Sequence, residues 1–236
     1  MKKRVLVTGA SRGIGKAIAE ACAADGAFVG VGYKTSREAA EELAARIGGV
    51  ARAIDVADPA SIEAAVAAFG QVDALVANAA MHVGGLLATA DPTALRELVL
   101  ANVLGPLACA RAVLPSMLAQ KKGVILFVGS IAASRPARGQ AAYAATKGSL
   151  EALTRAIAVE YGRKGIRALC IRPGAVATDM LETTRSMAED EIVARIPLRR
   201  IADPVEIAKV ARHLLSDDAQ YMNGAVIDVD GGYAVA

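Results

Sequence analysis

The chain contains no tryptophan, and aromatic residues of all kinds reach only 3%. With 54% apolar residues, a sizeable core is available, but aliphatic side chains must fill it. Many of these are alanine, which favours close packing of helices on a sheet. Cysteine is equally scarce: Cys22, Cys109 and Cys170 are an odd number, lie far apart and form no C-x-x-C pair. That argues against a disulfide framework and for free buried thiols in a reducing cytoplasm. There are two histidines, His82 and His213, and no His/Cys/Asp cluster offers a metal site. The net charge of +3 is mild, and no Lys/Arg block is large enough for a nucleic-acid footprint. A small positive excess suits anionic ligands, and equally an ordinary solvated surface. Met1-Lys-Lys-Arg4 mimics the charged start of a signal peptide, but Val5-Leu-Val7 is too short an apolar run to complete one. No stretch of about 18 apolar residues is found, so no membrane span is expected.

What is present is regular alternation. Short apolar runs over 4–8, 28–33, 50–55, 74–77, 124–129, 167–172 and 226–229 read as strands. Between them, helical periodicity covers 13–25, 36–47, 59–69, 92–120, 142–161, 189–195 and 204–215. Asp58-Pro59, Asp91-Pro92 and Asp203-Pro204 are helix starts, with Asp at the N-cap and Pro in the first turn. The alternation implies an α/β fold: a single doubly wound domain, a seven-stranded mostly parallel sheet with helices on both faces, and a ligand site at the carboxyl ends of the strands.

Two local patterns carry chemistry. The strand Arg4–Thr8 leads into Gly9-Ala-Ser-Arg-Gly-Ile-Gly15 and then a helix. Strand, glycine-rich turn and helix form a phosphate cradle: glycines let the backbone approach a pyrophosphate, and the helix N-terminus offers N–H groups and a favourable dipole. The spacing is G-x-x-x-G-x-G. The second pattern is Tyr143 and Lys147, one helical turn apart on one face. An ammonium there favours ionisation of the phenol, whose unperturbed pKa of about 10 is high for proton exchange at neutral pH. Such a pair suits interconversion of a carbonyl and an alcohol.

Thr8-Gly-Ala-Ser-Arg-Gly-Ile-Gly15, Asn78-Ala-Ala80, Asn102, Ser130, Tyr143, Lys147 and Pro173-Gly-Ala-Val-Ala-Thr178 stand in the order and spacing of the short-chain dehydrogenase/reductase family. The chain resembles that family over nearly its whole length, most of all the 3-oxoacyl-[acyl-carrier-protein] reductases. The resemblance implies a catalytic set of Ser130, Tyr143, Lys147 and Asn102. Tyr143 would donate the proton and Ser130 orient the substrate carbonyl. Lys147 would lower the Tyr143 pKa and bind the nicotinamide ribose, and Asn102 would hold a water leading from Lys147 to solvent. It also implies a dinucleotide cradled by Gly9, Ser11, Arg12, Gly13, Ile14 and Gly15. Asp55 and Val56 would meet the adenine, and Asn78 and Ala79 would line the cleft. Pro173, Gly174, Val176 and Thr178 would contact the nicotinamide end. The family pattern has Asn-Ala-Gly where this chain has Asn78-Ala79-Ala80, which puts the local geometry in question.

The cofactor expected is NADP (NADPH). No Asp or Glu closes the second strand, where an NAD-binding relative would hold the ribose; Tyr33 stands there, followed by Lys34. Lys34, Arg12 and Arg37 are candidates for a 2′-phosphate. For substrate, Ser130, Gln140, Tyr143 and Met180 are expected to border the reacting group, with a lid over 178–188. Lys121 and Lys164 match basic positions that, in the carrier-protein reductases, lie beside the mouth. His82 lies in a loop near that mouth; His213 reads as structural. The expectation is an NADPH-dependent reductase of a small-molecule or acyl-carrier-protein-linked 3-oxoacyl thioester, with another ketone or secondary alcohol as a second enzymatic reading. A catalytically idle dinucleotide-binding sensor or scaffold is a third. A homotetramer is expected, or failing that a dimer, without nucleic-acid or membrane partners.

Overall fold

A computed structural model of the chain describes residues 2–178 and 190–236. Seven strands form one sheet: β1 (Arg4–Val7), β2 (Phe28–Tyr33), β3 (Val50–Ala53), β4 (Ala74–Ala77), β5 (Gly123–Val128), β6 (Ile166–Pro173) and β7 (Val226–Val229). Their order is β3-β2-β1-β4-β5-β6-β7. Every pairing is parallel, so the sheet is fully rather than mostly parallel. The winding reverses between β1 and β4, which opens a crevice at their carboxyl ends.

The strand sequences explain the layers. Val5 and Val7 face one side of β1 and Leu6 the other, as alternation along a strand requires. One core cluster joins Val5, Val7, Val29, Val31 and Leu126 to helices α1 (Gly13–Ala24) and α2 (Arg37–Ile47) and to α7 (Pro204–Leu215). The opposite cluster joins Leu6, Leu75, Ile125, Phe127 and Cys170 to α3 (Pro59–Phe69), α5 (Gly105–Gln120) and α6 (Ala141–Tyr161). The three Asp-Pro starts behave as read: the side chains of Asp58, Asp91 and Asp203 each accept a backbone N–H from the first helical turn. Part of the 189–195 segment lies outside the described residues; 190–195 is helical.

The segment read as one helix over 92–120 is broken in register. The helix α4 (Pro92–Val99) passes through a π-helical turn, Leu100–Leu104, before α5 begins. Asn102 sits in that turn, which accounts for an asparagine in an otherwise unfavourable mid-helix position. The expectation about membrane spans needs amending here. Pro92–Gln120 is long and apolar enough, by length and composition, to cross a membrane. Its place in the fold accounts for the composition: Leu98, Cys109, Ala110, Val113 and Met117 are buried within the protein. All three cysteines are free and buried, and burial pushes the Cys22 and Cys109 thiols up to about 12 and Cys170 to about 11.

Candidate active site

The glycine loop follows β1 directly. Gly9 and Gly13 have φ of +61° and +55°, left-handed values that a side chain disfavours. Gly15 is held by contact instead: a Cβ there would lie 2.4 Å from the Gly9 carbonyl oxygen and 2.5 Å from Asn78 Nδ2. Asn78 ties the loop to β4, its Nδ2 donating to the carbonyls of Thr8 and Gly9 at 3.0 and 2.9 Å. Thr8 Oγ1 accepts from the backbone N–H groups of Asn78 and Ala79. Helix α1 then starts at Gly13 with Arg12 at the N-cap and no side-chain cap, so its first N–H groups are not taken up by a capping side chain. This is a backbone-lined cradle that fits a pyrophosphate. Across it, Thr178 Cγ2 comes within 3.2 Å of where a Gly13 Cβ would be, which brings the segment after Pro173-Gly174 against the loop. Val176 is buried and bridges to Ala202, and its carbonyl accepts from Thr178 Oγ1 at 3.4 Å. The backbone conformation at Ala80 does not call for glycine: Lys121 and Arg199 are the non-glycine residues with positive φ among the described residues.

The second half of the site is dry. Asn102, Lys147 and Tyr143 are 1%, 3% and 8% exposed. Ser130 ends the β5 segment, and its Oγ accepts from the Ala132 N–H at 3.2 Å. Lys147 Nζ donates to the Val128 carbonyl at 2.8 Å and lies 5.8 Å from the Tyr143 ring centroid. Asn102 is fully engaged: Oδ1 accepts from Met81 N–H at 2.9 Å, and Nδ2 donates to the Met81 carbonyl and to Thr146 Oγ1. Its amide therefore braces the loop after β4 against α6.

Electrostatics here run against the sequence expectation. Burial raises the Tyr143 phenol above its ordinary value, and the opposing influence is a hydrogen bond with Ser130. Burial also lowers Lys147, to about 8, with nearby Cys170 acting in the opposite sense. Desolvation dominates because the phenol is buried away from water, and Lys147 Nζ is itself bound to the Val128 carbonyl. A phenol that keeps its proton through neutral pH is a donor.

His82 has a larger part than its sequence context indicated. Its ring packs edge-to-face on Tyr143, centroids 4.8 Å apart, and burial lowers its pKa. A loop position alone carried no signal for that contact. Gln140 points back into its own loop, Oε1 accepting from the Ala137 N–H at 2.9 Å. Met180 and the lid segment from 179 onward to 188 lie outside the described residues. Lys121 and Lys164 do not border the mouth within one chain. They precede β5 and β6, at the amino ends of parallel strands, whereas Ser130 follows the carboxyl end of β5.

At the rim beyond the glycine loop, Lys34 and Asp55 follow β2 and β3 side by side and form an ion pair of 2.9 Å. Arg37 instead belongs to its own helix, paired with Glu41 at 2.7 Å. Among the described residues no cluster of His, Cys, Asp or Glu is arranged to hold a metal.

Residues 9–234 match a family model described as enoyl-(acyl carrier protein) reductase. A 3-oxoacyl-[acyl-carrier-protein] reductase of Escherichia coli is 37% identical over 98% of this chain and 96% of its own. The chain belongs to the short-chain dehydrogenase/reductase family. Among solved members of the family, the 3-ketoacyl-(acyl-carrier-protein) reductase of Brucella melitensis complexed with NADH superposes with a TM-score of 0.92 at 32% identity, covering 99% of this chain and 98% of that one. A putative NAD(P)-dependent gluconate 5-dehydrogenase of Beutenbergia cavernae with bound NADP gives 0.93 at 34%, covering 99% and 97%. The fold is therefore the Rossmann-like fold of these oxidoreductases, a family that uses NAD(P).

Proposed function

We propose that the whole chain acts as one dinucleotide-binding unit and reduces the ketone of a 3-oxoacyl thioester, carried by an acyl carrier protein, using NADPH. The observation that carries the reading is the burial of Tyr143 and Lys147 together, one helical turn apart, with the ammonium nitrogen 5.8 Å from the phenol ring centroid. When bound, the reduced nicotinamide supplies a hydride. The chain's own residues do the rest. Ser130 Oγ donates to the carbonyl oxygen and fixes its direction, and Tyr143 gives that oxygen a proton. The Lys147 ammonium then stabilises the phenolate left behind, and its charge is worth more there because water is excluded. With the Asn102 amide occupied, resupply of the proton would run through water held by backbone carbonyls around the π-helical turn. Gly9 to Gly15 would hold the pyrophosphate, with Ser11 and Ile14 on the loop. Val56 and Asp55 would meet the adenine, and Lys34 with Arg12 the 2′-phosphate. Ala79, Pro173, Gly174 and Thr178 would line the nicotinamide end.

The similarity to a gluconate 5-dehydrogenase favours a second reading, reduction of a sugar-acid ketone. A single assay separates the two: NADPH oxidation measured with an acetoacetyl thioester and with 5-ketogluconate side by side. The thioester should turn over far faster; a preference for the ketogluconate would move the protein to the second reading, and inactivity with every ketone would remove both.

The proposed assembly is a homotetramer, with α5 and α6 packing across a two-fold axis. An open apolar groove between them is lined by Leu107, Leu114, Leu118, Leu153 and Tyr161, and Val159 beside it is 83% exposed. Sedimentation velocity should return four subunits; a concentration-independent monomer would end that part of the proposal.

A further inference from the structure

The adenosine end holds a feature that the cofactor reading does not use. Lys34 and Asp55 are each first in line for a different part of the ligand, a 2′-phosphate and an adenine amino group, yet they are bonded to each other. The pair spans the rim between the ends of β2 and β3, where the Ile54 N–H bonds to the Tyr33 carbonyl at 2.7 Å. One strand further in, the Ala10 N–H of the glycine loop bonds to the Gly32 carbonyl, also at 2.7 Å. The partners differ in freedom. Asp55 is 33% exposed and doubly anchored: its Oδ1 accepts from the Ala57 N–H at 2.9 Å, and its N–H donates to Ser61 Oγ at 2.9 Å. Lys34 is 62% exposed and reaches Asp55 Oδ2 on a flexible stem. One partner is fixed and the other can swing.

We propose that the Lys34–Asp55 ion pair is an exchangeable latch, and that Asp55 thereby sets how strongly the protein discriminates a 2′-phosphorylated dinucleotide from an unphosphorylated one. The inference rests on the reading that such a dinucleotide occupies the crevice. A 2′-phosphate competes with the Asp55 carboxylate for Lys34, and the ammonium moves from one anion to the other. A dinucleotide with a free 2′-hydroxyl offers no anion, so the pair stays closed. Asp55 also repels the phosphate directly. Both effects weaken NADPH binding and leave NADH binding alone, so the native carboxylate holds selectivity below the limit Lys34 would otherwise reach.

The test is a set of fluorescence titrations giving Kd for NADPH and for NADH with the wild type, Asp55→Asn, Lys34→Met and the double variant. The ratio of the two constants is the readout, because the adenine is common to both ligands and any loss of its contact cancels. Asp55→Asn should raise the preference for NADPH by about two- to fivefold, the range expected for releasing an exposed pair. In the Lys34→Met background the same change should have a clearly smaller effect. NADPH binding should also become more salt-sensitive in Asp55→Asn, since an ion pair is then formed rather than exchanged. An unchanged or reduced ratio in Asp55→Asn, in a wild type that prefers NADPH, would overturn the latch. A wild type that binds NADH as tightly as NADPH would overturn the underlying cofactor reading instead, and the latch with it.

Discussion

The two ends of the crevice are built on opposite principles. At the end beyond β5, Tyr143, Lys147 and Asn102 are buried, and Lys147 and Asn102 are each held by hydrogen bonds to the backbone. At the rim beyond β2 and β3, Lys34 is mostly exposed and forms an ion pair with Asp55. Burial makes the first end costly to charge and hard to move, which suits chemistry that needs one geometry. Exposure makes the second end cheap to rearrange, which suits discrimination between ligands differing by one phosphate. Substitutions at the dry end should therefore change rates by orders of magnitude, and those at the wet end should change preferences.

The largest effect is expected from Tyr143→Phe. It removes one hydroxyl from a packed ring, and reduction should slow by about a hundredfold to ten-thousandfold, the usual contribution of a positioned proton donor. NADPH affinity, read by fluorescence, should stay close to that of the wild type; near-normal turnover would dissolve the distinction between the two ends.

Lys147→Met comes next and acts in two directions. Activity should be lost, while the folded protein gains about 1–3 kcal/mol at neutral pH in chemical denaturation, because a buried ammonium is replaced by an apolar chain of similar length. The pH sign follows from the lysine falling from 10.5 to about 8 on folding. Between those values the unfolded chain binds the extra proton, so wild-type stability should rise with pH through that window. The Lys147→Met protein should show less of that rise. For the same reason, the wild-type kcat/KM for the dinucleotide should fall as pH increases past about 8, when the ammonium loses its charge.

The smallest change belongs to the wet end. Lys34→Asp should lower NADPH affinity by about tenfold or more relative to NADH, the worth of one charge-assisted contact plus a new repulsion. Turnover with saturating cofactor should hardly change. A collapse in turnover would mean that the rim is coupled to the chemistry after all.

Much of this is legible in the amino-acid sequence itself. Alternation of apolar runs gave the sheet and its helices, and the three Asp-Pro starts each became a capped helix because the capping chemistry is local. The glycine loop was legible because strand, glycines and helix follow one another locally, and the close approach at Gly15 that demands glycine is made in part to the loop's own Gly9. Three things were not legible, all for reasons of tertiary contact. The π-helical turn at Asn102 comes with side-chain bonds to Met81 and Thr146, which lie far along the chain in either direction. The edge-to-face contact of His82 with Tyr143 joins the loop after β4 to helix α6, which no periodicity records. The direction of the phenol's pKa depends on how deeply it is buried, and spacing between Tyr143 and Lys147 says nothing of depth. Lys121 and Lys164 show the converse: matching positions in a sequence did not fix which end of the sheet they occupy.

The claim on which the rest depends is that desolvation, more than the neighbouring ammonium, governs Tyr143 in the free protein. Tyrosine labelled with carbon-13 at the ring carbon bearing oxygen, assigned by comparison with Tyr143→Phe, allows its ionisation to be followed by NMR as pH is raised. The account predicts a resonance that stays at the protonated position up to about pH 10, the ordinary tyrosine value. Ionisation with a midpoint near neutrality would contradict it.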